Sequence, residues 1–298
     1  MENLFKSIKK IIVPIDFSET SNNALEHGAF LAKLIKAELL LVHVLEKHFQ
    51  KFLIVAPSVQ FEMPSNIFGI IQDRLNEIAE NVRMNYGVNA LTLCTEGVIS
   101  DEIVSIATSE KADLIIMGTH GTSGLSEVFL GSNAFKVVTL SDIPVLTVQS
   151  HTTRIGFSSI LLPVDNSTHS RQKITPVINL AKSYSSSIHL LGLLTEDEKS
   201  NLEKFTLKID QTKQYIHKSG VPVVAQVEVA NNLAKHTIGK AVEMNADLIV
   251  IMTDQEDDFT GSFLGPYAQQ IVNHSKVPVL SIKPKENANQ LDWTYPYN

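Results

Sequence analysis

Short runs of consecutive apolar residues recur along this chain, and between them the apolar positions fall three and four apart. Residues 11–15, IIVPI, form one such run, rich in β-branched side chains, the signature of a strand buried on both faces. Ser18 follows as a side-chain cap, and Leu25, Gly28, Ala29, Ala32 and Ile35 then sit at helical spacing. LLLVHVL (39–45) predicts the next strand. Residues 66–86 predict a long helix with Ile67, Ile70, Ile71, Leu75, Ile78 and Val82 on one side. ALTLCTE (90–96) alternates as a strand, and Ser100 is placed to cap a helix through Thr108. DLIIMG (113–118) is a further buried strand, Ser132–Leu140 the last helix and PVLTV (144–148) the last strand. Continuous apolar strands separated by helices imply a parallel sheet covered on both faces, a five-stranded doubly wound α/β unit.

The pattern then repeats. IIVPID (11–16) meets ILLPVD (160–165) at an offset of 149, while ADLIIMG (112–118) meets ADLIVIM (246–252) and IPVLTV (143–148) meets VPVLSI (277–282) at an offset of 134. The difference, 149 − 134 = 15, falls mid-repeat, where the first half carries KHFQKFLIVAPSVQFEMPSNIFG (47–69). A period near 150 residues is a duplicated domain rather than a solenoid. The division predicted is residues 1–150, residues 151–285 and a tail, 286–298. Each last strand is expected at a sheet edge, and an open apolar edge invites pairing. A tandem chain can join its own two edges as an internal pseudo-dimer. Association of two such chains into a homodimer is compatible with the sequence but not fixed by it.

Composition narrows the class. A hydrophobic fraction of 44% and a charged fraction of 19% describe a globular chain, and the net charge of −7 gives no general attraction to nucleic acid or an anionic membrane. The single Cys94 excludes an intramolecular disulfide and a cysteine-rich zinc site; it reads as an ordinary buried small residue. Pro14 and Asp16 interrupt the N-terminal apolar run, which is too short for a signal peptide core, and no stretch approaches a membrane span. The expectation is a cytoplasmic protein.

The chemistry concentrates in MGTHGTSGLSEVFLGSNAFKVV (117–138), which holds Gly118, Gly121, Gly124 and Gly131 of a chain with only 14 glycines. In doubly wound sheets ligands bind at the carboxyl ends of strands. Here a strand ends at Gly118 and a helix begins at Gly131-Ser132, whose free amides suit an anion. A flexible loop ending in a helix cap is the plainer alternative.

The spacing Gly118, Gly121, Gly131, Ser132 fits G-x2-G-x9-G-[S/T], and in it the chain resembles the universal stress protein family. VPIDFSET, LLVHVLE and IPVLTV resemble that family's first, second and last strands, and the likeness extends over about residues 5–284 of both halves. The resemblance implies a Rossmann-like fold, akin to the adenine nucleotide alpha hydrolases, and ATP, AMP or another adenine nucleotide in the first half. It implies Pro14, Ile15 and Asp16 beside adenine and ribose, Val44 at adenine, Met117 and Gly118 against ribose, and Gly121, Gly131, Ser132, Asn133 and Ala134 around the phosphates. His120 approaches the phosphates or faces solvent. Mg²⁺ bridging the phosphates is compatible with this picture, although no carboxylate cluster announces a metal site. Asp16 is also placed to accept from amides of the following helix, and His43 reads as a hydrogen-bonded strand histidine.

The second half loses the motif. At the offset of 134, Gly118 becomes Met252, Gly121 becomes Gln255, Gly124 becomes Asp258, and Ser132 becomes Pro266, while Gly131 persists as Gly265. The replacement loop TDQEDDFTG (253–261) is acidic and repels phosphate. Asp165 still matches Asp16. One working site per chain is expected.

Three functions remain open: a nucleotide-binding stress regulator, a slow ATP hydrolase, and a partner-binding module without nucleotide. The absence of a Walker lysine and of an evident acid–base pair weighs against efficient phosphoryl transfer. Protein partners are not named by the sequence. The insertion at 47–65, with Phe49, Phe52, Phe61 and Met63, and the tail with Trp293, Tyr295 and Tyr297 are candidate contact segments.

Overall fold

The computed structural model describes residues 8–46, 66–119, 131–150, 152, 154–167, 169–253, 255–258 and 261–284, with the backbone alone for 255–258 and 261–263. The insertion at 47–65, the loop 120–130 and the tail 286–298 lie outside the described residues.

Alternation along the first strand sets the architecture. In β1 (Lys10–Pro14) the side chains of Ile11 and Val13 enter one apolar layer and Ile12 enters the other, each fully buried. Burial on this scale contributes about 1.5–3 kcal/mol per large aliphatic side chain. β2 (Glu38–Glu46) follows the same rule, with Leu39 and Leu41 in the first layer and Leu40, Val42 and Val44 in the second. Both strands are therefore sandwiched between helices.

Helix α1 (Glu19–Ile35) begins where Ser18 accepts from the Ser21 amide, as its position predicts, and buries Leu25, Gly28, Ala29 and Ala32. It packs in the first layer with α2 (Ile67–Tyr86). Within α2, Ile71, Leu75, Ala79 and Val82 are buried, whereas Ile70 is 51% exposed and does not join the apolar side expected of it. β3 (Ala90–Gly97) follows. Cys94 on it is half-buried rather than buried, because β3 is the outermost strand of the sheet. Helix α3 (Ile99–Ser109) starts ahead of Ser100, which is buried in the first turn and bonds Asp101 instead of capping. β4 (Leu114–Gly118), α4 (Ser132–Leu140) and β5 (Val145–Val148) complete the unit.

The second half repeats the plan. It runs β6 (Ser159–Val164), a 3-10 turn (Ser170–Lys173), α5 (Ile174–Tyr184), β7 (Ser187–Leu194), α6 (Leu202–Lys218), β8 (Val223–Val229), α7 (Leu233–Glu243) and β9 (Leu248–Met252). After β10 (Gln255–Asp258) and β11 (Gly261–Leu264) come α8 (Pro266–His274) and β12 (Val279–Ile282). The repeated Ala-Asp-Leu sequence now has a structural reason. Asp113 accepts from the amides of Lys9 and Lys10, and Asp247 from those of Ser158 and Ser159, so each carboxylate clips the start of its half's first strand.

All the long strands form one ten-stranded sheet, ordered β3-β2-β1-β4-β5-β12-β9-β6-β7-β8. Neighbours are parallel within each half, and the halves meet where β5 pairs antiparallel with β12, Leu146 opposite Leu280. The chain thus pairs its own two edges as an internal pseudo-dimer. The acidic segment of the second half is not an open loop: β10 and β11 form an antiparallel hairpin, Gln255 opposite Leu264.

Candidate functional site

The site lies where β1, β2 and β4 end. Beyond β1, the Ile15 amide donates to the Val42 carbonyl at 2.8 Å, and the Ile15 carbonyl accepts from His43 Nδ1 at 2.7 Å. That bond fixes His43 as a hydrogen-bonded strand histidine. Asp16 follows. Its Oδ1 accepts from the Ser18 amide at 3.0 Å and from the Ser18 hydroxyl, and Ser18 in turn caps α1. One carboxylate oxygen therefore shapes the turn. Among the described residues none donates to the other, and Asp16 still borders the cavity.

The opposite wall is the start of α4. Its N-cap is Gly131, with φ −57° and ψ 143°, and no side chain caps it. The Gly131 amide is spent on the Thr119 carbonyl. The amides of Ser132, Asn133 and Ala134 meet no acceptor among the described residues. A helix start left open in this way presents donors and a positive dipole end to an anion.

Between these walls is a cavity of about 250 Å³. Pro14, Ile15, Asp16, Val44, Met117, Gly118, Gly131, Ser132, Asn133 and Ala134 all line it, so the residues expected to act together are brought together. His120 and Gly121 lie outside the described residues. The cavity also takes in Ser21, Val42, His43, Glu46, Ile99 and Ile103, which the sequence reading had not assigned to it. Some of these were within reach: Val42 shares a strand face with Val44, and Ile99 and Ile103 are one helical turn apart. The volume is below the roughly 300 Å³ at which pockets for drug-sized ligands begin.

The Universal stress protein family model matches residues 7–149 and 156–283. The chain belongs to the universal stress protein family. A universal stress protein of Methanocaldococcus jannaschii is 34% identical over 154 residues, covering 50% of this chain and 84% of that protein. The universal stress protein YxiE of Bacillus subtilis is 33% identical over 149 residues, covering 47% of this chain and 98% of that protein. Matches to half the chain are what a duplicated unit gives. The crystal structure of a universal stress protein from Archaeoglobus fulgidus covers 96% of this chain and 100% of its own, with a TM-score of 0.73. At 21% identity that likeness speaks for the tandem fold.

In this universal stress protein the two halves differ at the site. A Cβ placed on Gly118 would stand 2.7 Å from Thr20 Cγ2 and 3.0 Å from the Thr20 carbonyl carbon. Glycine there lets the first turn of α1 close onto the end of β4. Met252 occupies the matching position, and the matching turn is the 3-10 segment Ser170–Lys173 instead of α-helix. Gly265 caps α8 with φ −55° and ψ 150°, close to Gly131, but Pro266 at the first helical position has no amide to offer. Asp165 keeps the turn of Asp16, accepting from the Ser167 amide at 2.9 Å and the Ser167 hydroxyl at 2.6 Å. The turn survives in the second half while the amide donors at the helix start are reduced.

Proposed function

We propose that the first half binds an adenine nucleotide, ATP foremost, and that the protein acts as a nucleotide-responsive regulator of the stress response without rapid turnover. One observation carries this reading. The carboxylate of Asp16, the apolar wall of Val44, Ile99 and Ile103, and the uncapped amides of Ser132–Ala134 converge on a single cavity at the carboxyl ends of parallel strands. The apolar wall suits a base, the carboxylate suits hydroxyl or amino donors, and the helix start suits phosphate. A divalent ion accompanies the phosphates as it does in free nucleotide. The second half is expected to bind none, since Met252 and Pro266 replace the glycine and the serine.

Calorimetric titration with ATP and Mg²⁺ tests the assignment. Gly131→Glu puts bulk and negative charge at the phosphate end, and at least a tenfold loss of affinity is expected, about 1.4 kcal/mol. Unchanged affinity in that variant refutes the site.

A further inference from the structure

Beside the cavity, Phe17 adopts φ 64°. Left-handed backbone is an outlier for a bulky side chain, and such conformations persist only where the surroundings enforce them. The other non-glycine residues with positive φ are Lys36, Lys111, Ser185 and Asn245 among the described residues. They fall into pairs related by the repeat, Lys36 with Ser185 and Lys111 with Asn245, and each follows a helix. Phe17 follows none, and its repeat partner Asn166 does not share the conformation.

The Phe17 ring stands in a stack. The Arg74 guanidinium of α2 lies 4.2 Å from the centre of the Phe17 ring. On the strand side, the His43 ring is 5.0 Å from the Phe17 ring, tilted by 31°. His43 is itself fixed by its bond to the Ile15 carbonyl. The residues on either side of Phe17 are Asp16 and Ser18, which bond each other.

The second half is a natural comparison. His43 corresponds to Gly192, whose absent side chain is replaced by Ile209 and Phe205, since a Cβ there would stand 2.8 Å and 3.0 Å from them. Phe17 corresponds to Asn166 and Arg74 to Lys208, which donates to Asn166 at 2.9 Å. The whole stack and the strained backbone are missing from the half that has also lost the glycine motif.

We propose that Phe17, clamped between Arg74 and His43, is a positioning residue that holds the Asp16 carboxylate toward the nucleoside end of the bound nucleotide. This rests on the nucleotide reading above. Arg74 is exposed, so Arg74→Met keeps the stem over the ring and removes the charge with little effect on folding. Phe17→Gly is the second variant, because glycine takes the same φ without strain and lets the turn form with no clamp.

Affinities for ATP, adenosine and inorganic tripolyphosphate are measured by titration for both variants, together with melting of the unliganded protein. Arg74→Met is expected to weaken ATP and adenosine by the same factor, roughly 3-fold, and Phe17→Gly by about 10-fold or less. Tripolyphosphate, which meets only the α4 end, is expected to bind unchanged. The melting midpoint of Arg74→Met is expected to match that of the unaltered protein. In an Asp16→Ala background, Arg74→Met is expected to add nothing. Unchanged ATP and adenosine binding in both variants overturns the positioning role and leaves the site assignment standing. Equal weakening of tripolyphosphate overturns it in favour of general loosening of the site. Failure of the unaltered chain to bind ATP overturns the nucleotide reading and this proposal together.

Discussion

At the scale of single residues, His27 is a titratable side chain buried outside the site. It is 1% exposed, and neither ring nitrogen has a hydrogen-bond partner among the described residues. Its ring stacks on Phe157, which contacts Tyr184, and Phe30 of the same helix stacks on Tyr184, so these rings join α1 to the second half. Burial pushes the imidazole down from its ordinary value of 6.5 to about 4. The folded-state value is depressed, so this contribution to stability is whole above pH 6.5 and is lost as pH falls toward 4. The full effect is on the order of 3 kcal/mol. His27→Leu is expected to flatten the pH dependence of urea unfolding between pH 6.5 and 4. A curve parallel to that of the unaltered protein would refute the assignment. Nothing in the sequence marked His27, because its apolar setting is built by Phe157 and Tyr184, far away along the chain. Ser18 was legible because its cap bond reaches only to Ser21. Phe17 was not, because Arg74 and His43 lie on other elements.

At the scale of elements, strands and helices were read where apolar spacing was strong and local. Residues 66–86 predicted the helix found at Ile67–Tyr86. Misreadings came where a neighbour decides the outcome. Ser100 has the chemistry of a cap, but α3 starts before it and buries it. The acidic run after β9 looked like a loop by composition, yet Gln255–Asp258 and Gly261–Leu264 pair as a hairpin, and β11 packs against α4 of the first half. The glycines of the motif suggested approach to a ligand. For Gly118 the structure adds approach to Thr20 of α1. Gly118→Val should therefore push the first turn of α1 away from β4. The expected result is a loss of roughly 1–3 kcal/mol in urea unfolding together with weakened nucleotide binding. A variant that binds and unfolds as the unaltered protein does would show that this close approach is not needed.

At the scale of the whole molecule, the duplication was readable from the offsets between IIVPID and ILLPVD and between IPVLTV and VPVLSI, and the internal pairing from the open apolar edge expected at each last strand. The join itself, β5 against β12, puts Leu146 and Leu280 at the middle of the sheet, both nearly fully buried. One sheet crossing both halves should make them unfold together. A single calorimetric transition is expected, and Leu280→Ala should lower it as one unit, at a cost of about 2–5 kcal/mol. Two separated transitions would contradict a shared core. The division of labour between the halves is the central claim of the proposed function: one intact site, and one that keeps the Asp165 turn with fewer amide donors at its helix start. It is tested most directly by the stoichiometry of ATP bound in the presence of Mg²⁺. One nucleotide per chain, abolished by Gly131→Glu, is the predicted result. Two per chain would contradict the account of Met252 and Pro266, and none would contradict the nucleotide site itself.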